Sequence, residues 1–249
     1  MTRPRLLKLV TLDITNTLFK VAGSPGRQYG IVGRRHGVIA DEALLTDLFS
    51  KFYKQYLKQY PNFGAYVKMS ANEWWSYVVR DCFHTIDPTL DQEKLQNISN
   101  DLFVHYMKSE AWEFLPGAVD ALKDLHRYPV KLGVISNWDH RLYRVLAVMG
   151  LQPYFDFVIP SYVVGVEKPD KRIFQLALQD ADCLPGEAIH FGDNIKKDLQ
   201  GAQGAGWDAC LLATPGVSHS DIDDSVVVES VQDFVDKIRP RLGDLQEDC

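Results

Sequence analysis

The chemistry-bearing residues of this sequence stand where apolar runs stop. The run Leu7–Leu12 ends at Asp13 and a Thr/Asn-rich turn follows, which reads as a buried strand opening into a loop. In an open parallel sheet, ligands gather beyond the carboxyl ends of the strands, and Asp13 would stand there as a candidate nucleophile. Three later runs end in groups that an aspartyl phosphotransfer site would need. ISN offers Ser136 and Asn137 ahead of WDHR, where a hydroxyl and the backbone N–H groups of a helix start could hold phosphate oxygens. GVEKPD offers Lys168, which Pro169 keeps out of helical geometry before supplying the first turn of the next helix. Asp170 then favours that helix's positive end. A cation so fixed can steady both the carboxylate and charge building on a transferring phosphoryl group. HFGDNIKKD offers Asp193 and Asp198, which together with Asp13 suit a hard, oxygen-ligated Mg²⁺. Taken singly, each group has a plain structural alternative: Asp13 capping a turn, Ser136 or Asp139 capping a helix, a solvated lysine, an exposed Asp198.

The elements that must position these groups follow from the texture of the chain. From Pro116 onward, strand-like runs at 130–137, 155–161, 186–193 and 207–213 alternate with helical ones at 117–128, 140–150, 170–181, 195–206 and 230–241. Such alternation implies parallel strands joined by right-handed crossovers. Residues 27–109 are helical in texture instead. The stretch 41–60 spaces Leu44, Leu48, Phe52, Tyr56 and Tyr60 four residues apart, and 71–86 and 91–109 behave alike. Asp91 is placed to N-cap the last of these. Breaks at Pro61–Gly64 and Asp87–Pro88 separate the helices of a small bundle.

Composition narrows the function classes. Of 249 residues, 46% are hydrophobic and 24% charged, as in an ordinary globular protein. The formal net charge of −6 argues against nucleic-acid or anionic-membrane binding and for small-molecule or protein partners. No apolar run reaches the ~18 residues of a membrane-spanning helix. The basic start, MTRPRLLKLV, flows straight into the Asp13 strand, so no secretory signal is read there. Cys82, Cys183, Cys210 and Cys249 lack metal-type spacing and are expected as free thiols. The expected location is cytoplasmic, with organellar import left open, and the expected state is a monomer.

Four motifs in this order, DxxxT at Asp13–Thr17, SN at 136–137, KPD at 168–170 and GDxxxxD at 193–198, resemble the haloacid dehalogenase-like hydrolase superfamily over nearly the whole chain. The resemblance implies an α/β fold: a Rossmann-like parallel sheet core with helices on both faces at 1–19 and 112–249, plus an inserted α-helical cap at 20–111. The cap would close over the strand ends on hinges near Gly23–Gly26 and Trp112–Gly117. The resemblance further implies Asp13 as the nucleophile that forms an aspartyl-phosphate. Ser136 and Lys168 would meet phosphoryl oxygens, with Thr15, Asn16 and Asn137 as further substrate contacts. Mg²⁺ would sit among Asp13, the Thr15 carbonyl oxygen and Asp193, with Asp198 as a ligand or beside one. The implied substrate is a small phosphorylated metabolite.

Thr15 departs from the family pattern. Family phosphatases usually carry a second aspartate there, which protonates the leaving group and then activates water. General acid–base help of this kind is worth roughly 10²–10⁴-fold, and a threonine hydroxyl does not titrate near neutral pH. A similar threonine in the DKTGT motif of P-type ATPases accompanies a long-lived aspartyl-phosphate. Three readings follow: a Mg²⁺-dependent hydrolase or phosphotransferase slowed by Thr15, a binding or regulatory scaffold without turnover, and a dehalogenase attacking carbon. Gly192–Asp193 counts against the last, because the superfamily's dehalogenases lack that acid. Outside the motifs, Trp74 and Trp75 are expected chiefly in the core and His190 buried rather than catalytic, and no partner is evident for His84, His105 or His140.

Overall fold

The computed structural model describes residues 5–245; Cys249 and the end of the acidic tail lie outside the described residues. By its internal contacts the chain divides into two units. One holds the described residues up to Lys20, Phe114–Asn137 and those from Gly150 on; the other holds Val21–Glu113 and Trp138–Met149.

The first unit is built on strand β1 (Leu9–Leu12). Two short strands, β2 (Phe19–Val21) and β3 (Trp112–Phe114), pair with one another where the chain passes between units. Five further strands then join β1: β4 (Lys131–Ser136), β5 (Phe157–Pro160), β6 (Ala188–Gly192), β7 (Asp208–Leu212) and β8 (Val227–Val228). All pair in parallel, in the order β5-β4-β1-β6-β7-β8. The chain adds β4 and β5 on one side of β1 and then switches to the other side for β6. Ligand sites in such sheets lie outside the carboxyl ends at that switch.

β1 and β6 are buried along their whole length, as strands covered on both faces must be. Neighbouring residues of a strand face opposite sides. His190 meets Phe174 of the helix Lys171–Ala181 at 5.4 Å, and the adjacent Phe191 stacks on Phe234 of the helix Val231–Ile238 at 4.3 Å. Those two helices therefore cover opposite faces of the sheet. Gly133 pairs with Phe157 across β4 and β5, and a Cβ there would fall 2.3 Å from that ring, so any larger residue must displace it.

The second unit is helical: Pro25–Arg35, Glu42–Gln59, Ala71–Ile86 and Gln92–His105. Ser24, Asp41, Ser70 and Asp91 cap them, each side chain accepting the backbone N–H three residues on, a contact worth about 0.5–2 kcal/mol. Trp74 is buried and donates to the Tyr60 carbonyl at 2.9 Å, while the half-buried Trp75 donates to Asp139 Oδ2 at 2.8 Å. The bond to Asp139 helps explain why 138–149 groups with these helices. Arg141 reinforces it, chelating Asp139 with Nε at 2.9 Å and Nη2 at 2.7 Å while its guanidinium lies 4.0 Å over Phe103. This bend delays the helix expected over 140–150, which runs only Leu142–Val148. His105 is not partnerless: its Nε2 bonds Gln28 Oε1 at 2.7 Å.

Cys82, Cys183 and Cys210 are free thiols, and burial pushes Cys82 up to about 12 and Cys210 to about 11. No helix of the described residues is long and apolar enough to cross a membrane.

Candidate active site

Asp13 follows the last residue of β1, held there by its N–H donating to the Phe191 carbonyl of β6 at 2.8 Å. Its side chain is buried and its Oδ1 accepts two hydrogen bonds, from Ser136 Oγ at 2.7 Å and from Lys168 Nζ at 2.8 Å. Ser136 ends β4. It caps no helix, because the next one starts six residues later with no side-chain cap. A helix so short and distant also removes the expected helix-dipole contribution to phosphate binding. After Asp13 the chain turns tightly: Leu18 N–H returns to the Ile14 carbonyl at 2.9 Å, and Asn16, exposed, takes φ 61°. Asn tolerates that left-handed conformation better than most residues. Thr15 is half-buried at this turn.

Lys168 is 2% exposed. Its backbone is clasped by Asn137, whose Oδ1 accepts Lys168 N–H at 2.8 Å while its Nδ2 donates to the Lys168 carbonyl at 3.0 Å. The expectation that Pro169 opens the next helix is corrected. The Lys168–Pro169 peptide is cis, Asp170 is the N-cap, and the helix begins at Lys171. The ammonium donates to Asp13 Oδ1, to Asp198 Oδ1 at 2.5 Å and to the Ile135 carbonyl at 2.7 Å. Burial pulls the lysine down, yet Asp13 and Asp198 more than offset it, and Lys168 is held above its ordinary value as a cation.

Asp198 is 1% exposed, which removes the exposed-acid alternative. The regular helix expected over 195–206 is instead a π-turn, Ile195–Gln200, followed by a short helical piece, Gly201–Gly204. π-turns are frequent at functional sites. Here the turn swings Asp198 back so that its Oδ2 accepts the Asn194 N–H at 2.9 Å. It lies against Gly192, where a Cβ would come within 2.3 Å of Asp198 Cγ, so glycine makes room for the carboxylate. Burial raises the Asp198 pKa, but Lys168 and a hydrogen bond from His190 prevail and hold it well below the usual carboxylate range. His190, on β6, is buried as expected, yet it is part of the site: Nε2 lies 3.1 Å from Asp198 Oδ1 and Nδ1 lies 2.8 Å from Thr11 Oγ1. The one signal in the sequence was a polar residue inside an otherwise apolar strand run.

One carboxylate oxygen each from Asp13, Asp193 and Asp198 lies within 4.8 Å of the others. Burial first, then Asp13 and Asp198, push Asp193 up to about 7. An all-oxygen donor set with crowded negative charge beside one lysine fits a hard divalent cation such as Mg²⁺. The structure therefore gathers Asp13, Ser136, Lys168, Asp193 and Asp198 at one place in the first unit. It employs Asn137 on the Lys168 backbone and sets Asn16 on the outside of its turn.

The sequence matches the family model described as haloacid dehalogenase-like hydrolase over residues 7–206. It is 33% identical over 240 residues to the Mus musculus protein named haloacid dehalogenase-like hydrolase domain-containing protein 3, covering 96% of this chain and 95% of that one. Among solved structures it is similar to a 2-haloacid dehalogenase from Pseudomonas syringae pv. Tomato DC3000, with TM-score 0.66, 22% identity, and coverage of 94% of this chain and 99% of that one. It is likewise similar to a HAD phosphatase from Thermococcus onnurineus, with TM-score 0.62, 22% identity, and coverage of 95% and 100%. At that identity the likeness establishes the fold, and it spans two different chemistries.

Proposed function

This chain belongs to the haloacid dehalogenase-like hydrolase family, and on that premise we propose that it is a Mg²⁺-dependent phosphohydrolase or phosphotransferase. Its substrate would be a small phosphorylated metabolite, with the phosphoryl group passing through Asp13. The observation that carries this reading is the buried Asp13 carboxylate, one oxygen of which is fixed by Ser136 Oγ and Lys168 Nζ. A carboxylate so oriented is prepared to attack rather than merely to cap a turn. Asp13 forms a bond to phosphorus as the bond to the leaving oxygen breaks, which splits one difficult displacement into two. Lys168 and Ser136 are in reach to follow the charge that moves onto the phosphoryl oxygens. Asp13, Asp193 and the Thr15 carbonyl oxygen, with Asp198 beside them, would hold Mg²⁺, which when bound offsets the repulsion between carboxylate and phosphate. The helical segment 20–111 would serve as the cap that excludes water and selects the substrate.

Thr15 sets the pace of this chemistry. On this reading Asp13 supplies the nucleophile, Lys168 the cation and Asp193 and Asp198 the further acids, but no titratable group stands two residues after Asp13. The departing oxygen and the later water must find their proton transfers elsewhere, so release from Asp13 is the slow step. The test is phosphate release from a panel of small phosphate esters with and without Mg²⁺, with Asp13→Asn as control. Turnover that needs both the metal and Asp13 supports the reading. Turnover that survives Asp13→Asn overturns it.

A further inference from the structure

The buried polar chain behind Lys168 has an internal logic of its own. In a strand whose residues are all buried, His190 is 0% exposed and pairs in register with Thr11, two residues before Asp13. The Lys168 ammonium carries three hydrogens and meets three oxygens, Asp13 Oδ1, Asp198 Oδ1 and the Ile135 carbonyl. His190 Nε2, 3.5 Å from Nζ, is therefore not needed as an acceptor for the lysine. Its nearer neighbour is Asp198 Oδ1 at 3.1 Å, and an ionised carboxylate can only accept. Nε2 must carry the hydrogen. A second ring proton would place an imidazolium 3.5 Å from the ammonium with no access to water, so Nδ1 is the acceptor and takes the Thr11 hydroxyl at 2.8 Å.

We infer that His190 is a positioning residue: Thr11 fixes it as the neutral Nε2–H tautomer, and its Nε2–H holds Asp198 Oδ1 where that oxygen aims the Lys168 ammonium at Asp13. The consequence for phosphoryl transfer rests on the role proposed above for Asp13; the tautomer and the hold on Lys168 do not. Without His190, the Asn194 N–H is left to orient Asp198 against the lysine. Lys168 would then lose a fixed direction while the overall charge of the site stayed the same.

Three variants of the full chain separate the possibilities. His190→Gln places an amide donor near the Nε2 position, His190→Leu removes both ring contacts, and Thr11→Val removes one hydroxyl at constant shape. In ¹⁵N spectra of the wild type, we expect the His190 ring to report Nε2–H with Nδ1 unprotonated and the Lys168 ammonium to give a slowly exchanging signal. We expect that ammonium signal to persist in His190→Gln and to vanish in His190→Leu. Labelling of Asp13 by acetyl phosphate with Mg²⁺ should slow about 10–100-fold in His190→Leu, the usual cost of losing a group that orients a ligand. In His190→Gln it should recover to within a few-fold, with the donor concentration for half-maximal rate unchanged. An Nδ1–H ring, or an unaltered Lys168 signal in His190→Leu, overturns the inference. If the wild type takes no label, the role of Asp13 fails and the two spectra alone decide the positioning. If His190→Leu does not fold, Thr11→Val decides: a changed ring spectrum supports the inference and an unchanged one overturns it.

Discussion

Lys168→Met removes the lysine paired with Asp13 and Asp198 while keeping a side chain of similar length. In the wild type the ammonium sits 2.8 Å from Asp13 Oδ1 and 2.5 Å from Asp198 Oδ1, and the Lys168 and Asp198 side chains are each 1% exposed. With methionine there, these carboxylates and Asp193, gathered within 4.8 Å, face one another without that cation. Leaving a buried charge without its partner costs roughly 3–5 kcal/mol. For a chain of this size each kcal/mol moves the midpoint by about 2–4 °C, so the sheet unit should melt roughly 6–20 °C lower. The pH dependence gives the sharper signature. In the wild type Asp198 is held below its unfolded value, against burial, chiefly by Lys168, so its contribution is present above about pH 4 and is lost on acidification below that. In the variant, burial and the neighbouring acids are left to raise Asp198 above its unfolded value. The deficit is then smallest in strong acid, where Asp198 is protonated in both proteins, and widens as pH rises. Mg²⁺ replaces the missing charge, and a ligand at 100 times its Kd stabilises by about 2.7 kcal/mol. Scanning calorimetry of both proteins at about pH 5 and about pH 8, in chelator and in saturating Mg²⁺, reads all three effects. A variant that melts with the wild type at the higher pH in chelator, or whose deficit grows on acidification, would refute the charge accounting.

Three further outcomes follow from the same geometry. Because burial and its neighbours push Asp193 up to about 7, wild-type stability without metal should fall as pH rises from roughly 4 to 7. Asp193→Asn should flatten that fall and abolish stabilisation by Mg²⁺, both visible in thermal unfolding. Gly192→Ala puts a Cβ 2.3 Å from Asp198 Cγ and should cost about 1–3 kcal/mol in denaturant unfolding, with weakened Mg²⁺ binding by titration calorimetry. Thr15→Asp supplies the missing acid–base group and should speed phosphate release by about 10²–10⁴-fold in a phosphate assay.

Legibility in the sequence followed the range of the interactions. The ends of β1, β4 and β6 could be read because an apolar run and the turn that stops it are local, and the four motifs carried Asp13, Ser136, Lys168, Asp193 and Asp198 to one place. The α/β alternation and the parallel sheet followed from periodicity. Features that depend on partners far along the chain could not be read. The π-turn at Ile195–Gln200 exists where Asp198 is drawn to Lys168, thirty residues earlier, and to the Asn194 N–H. Asn137 looked like a substrate contact but grips the backbone of Lys168, thirty-one residues on. His190 shows its partners only through the register that sets it beside Thr11. Residues 138–149 read as part of the sheet unit, and nothing local reveals that Asp139 accepts from Trp75, sixty-four positions away.

Transfer of a phosphoryl group to Asp13 is read directly by intact-mass measurement of the full chain after acetyl phosphate and Mg²⁺, with the labelled peptide mapped. We expect one added phosphoryl group on the peptide containing Asp13, slow to hydrolyse because of Thr15, absent in Asp13→Asn and short-lived in Thr15→Asp. A phosphoryl group mapped to another residue, or one that persists in Asp13→Asn, would contradict it.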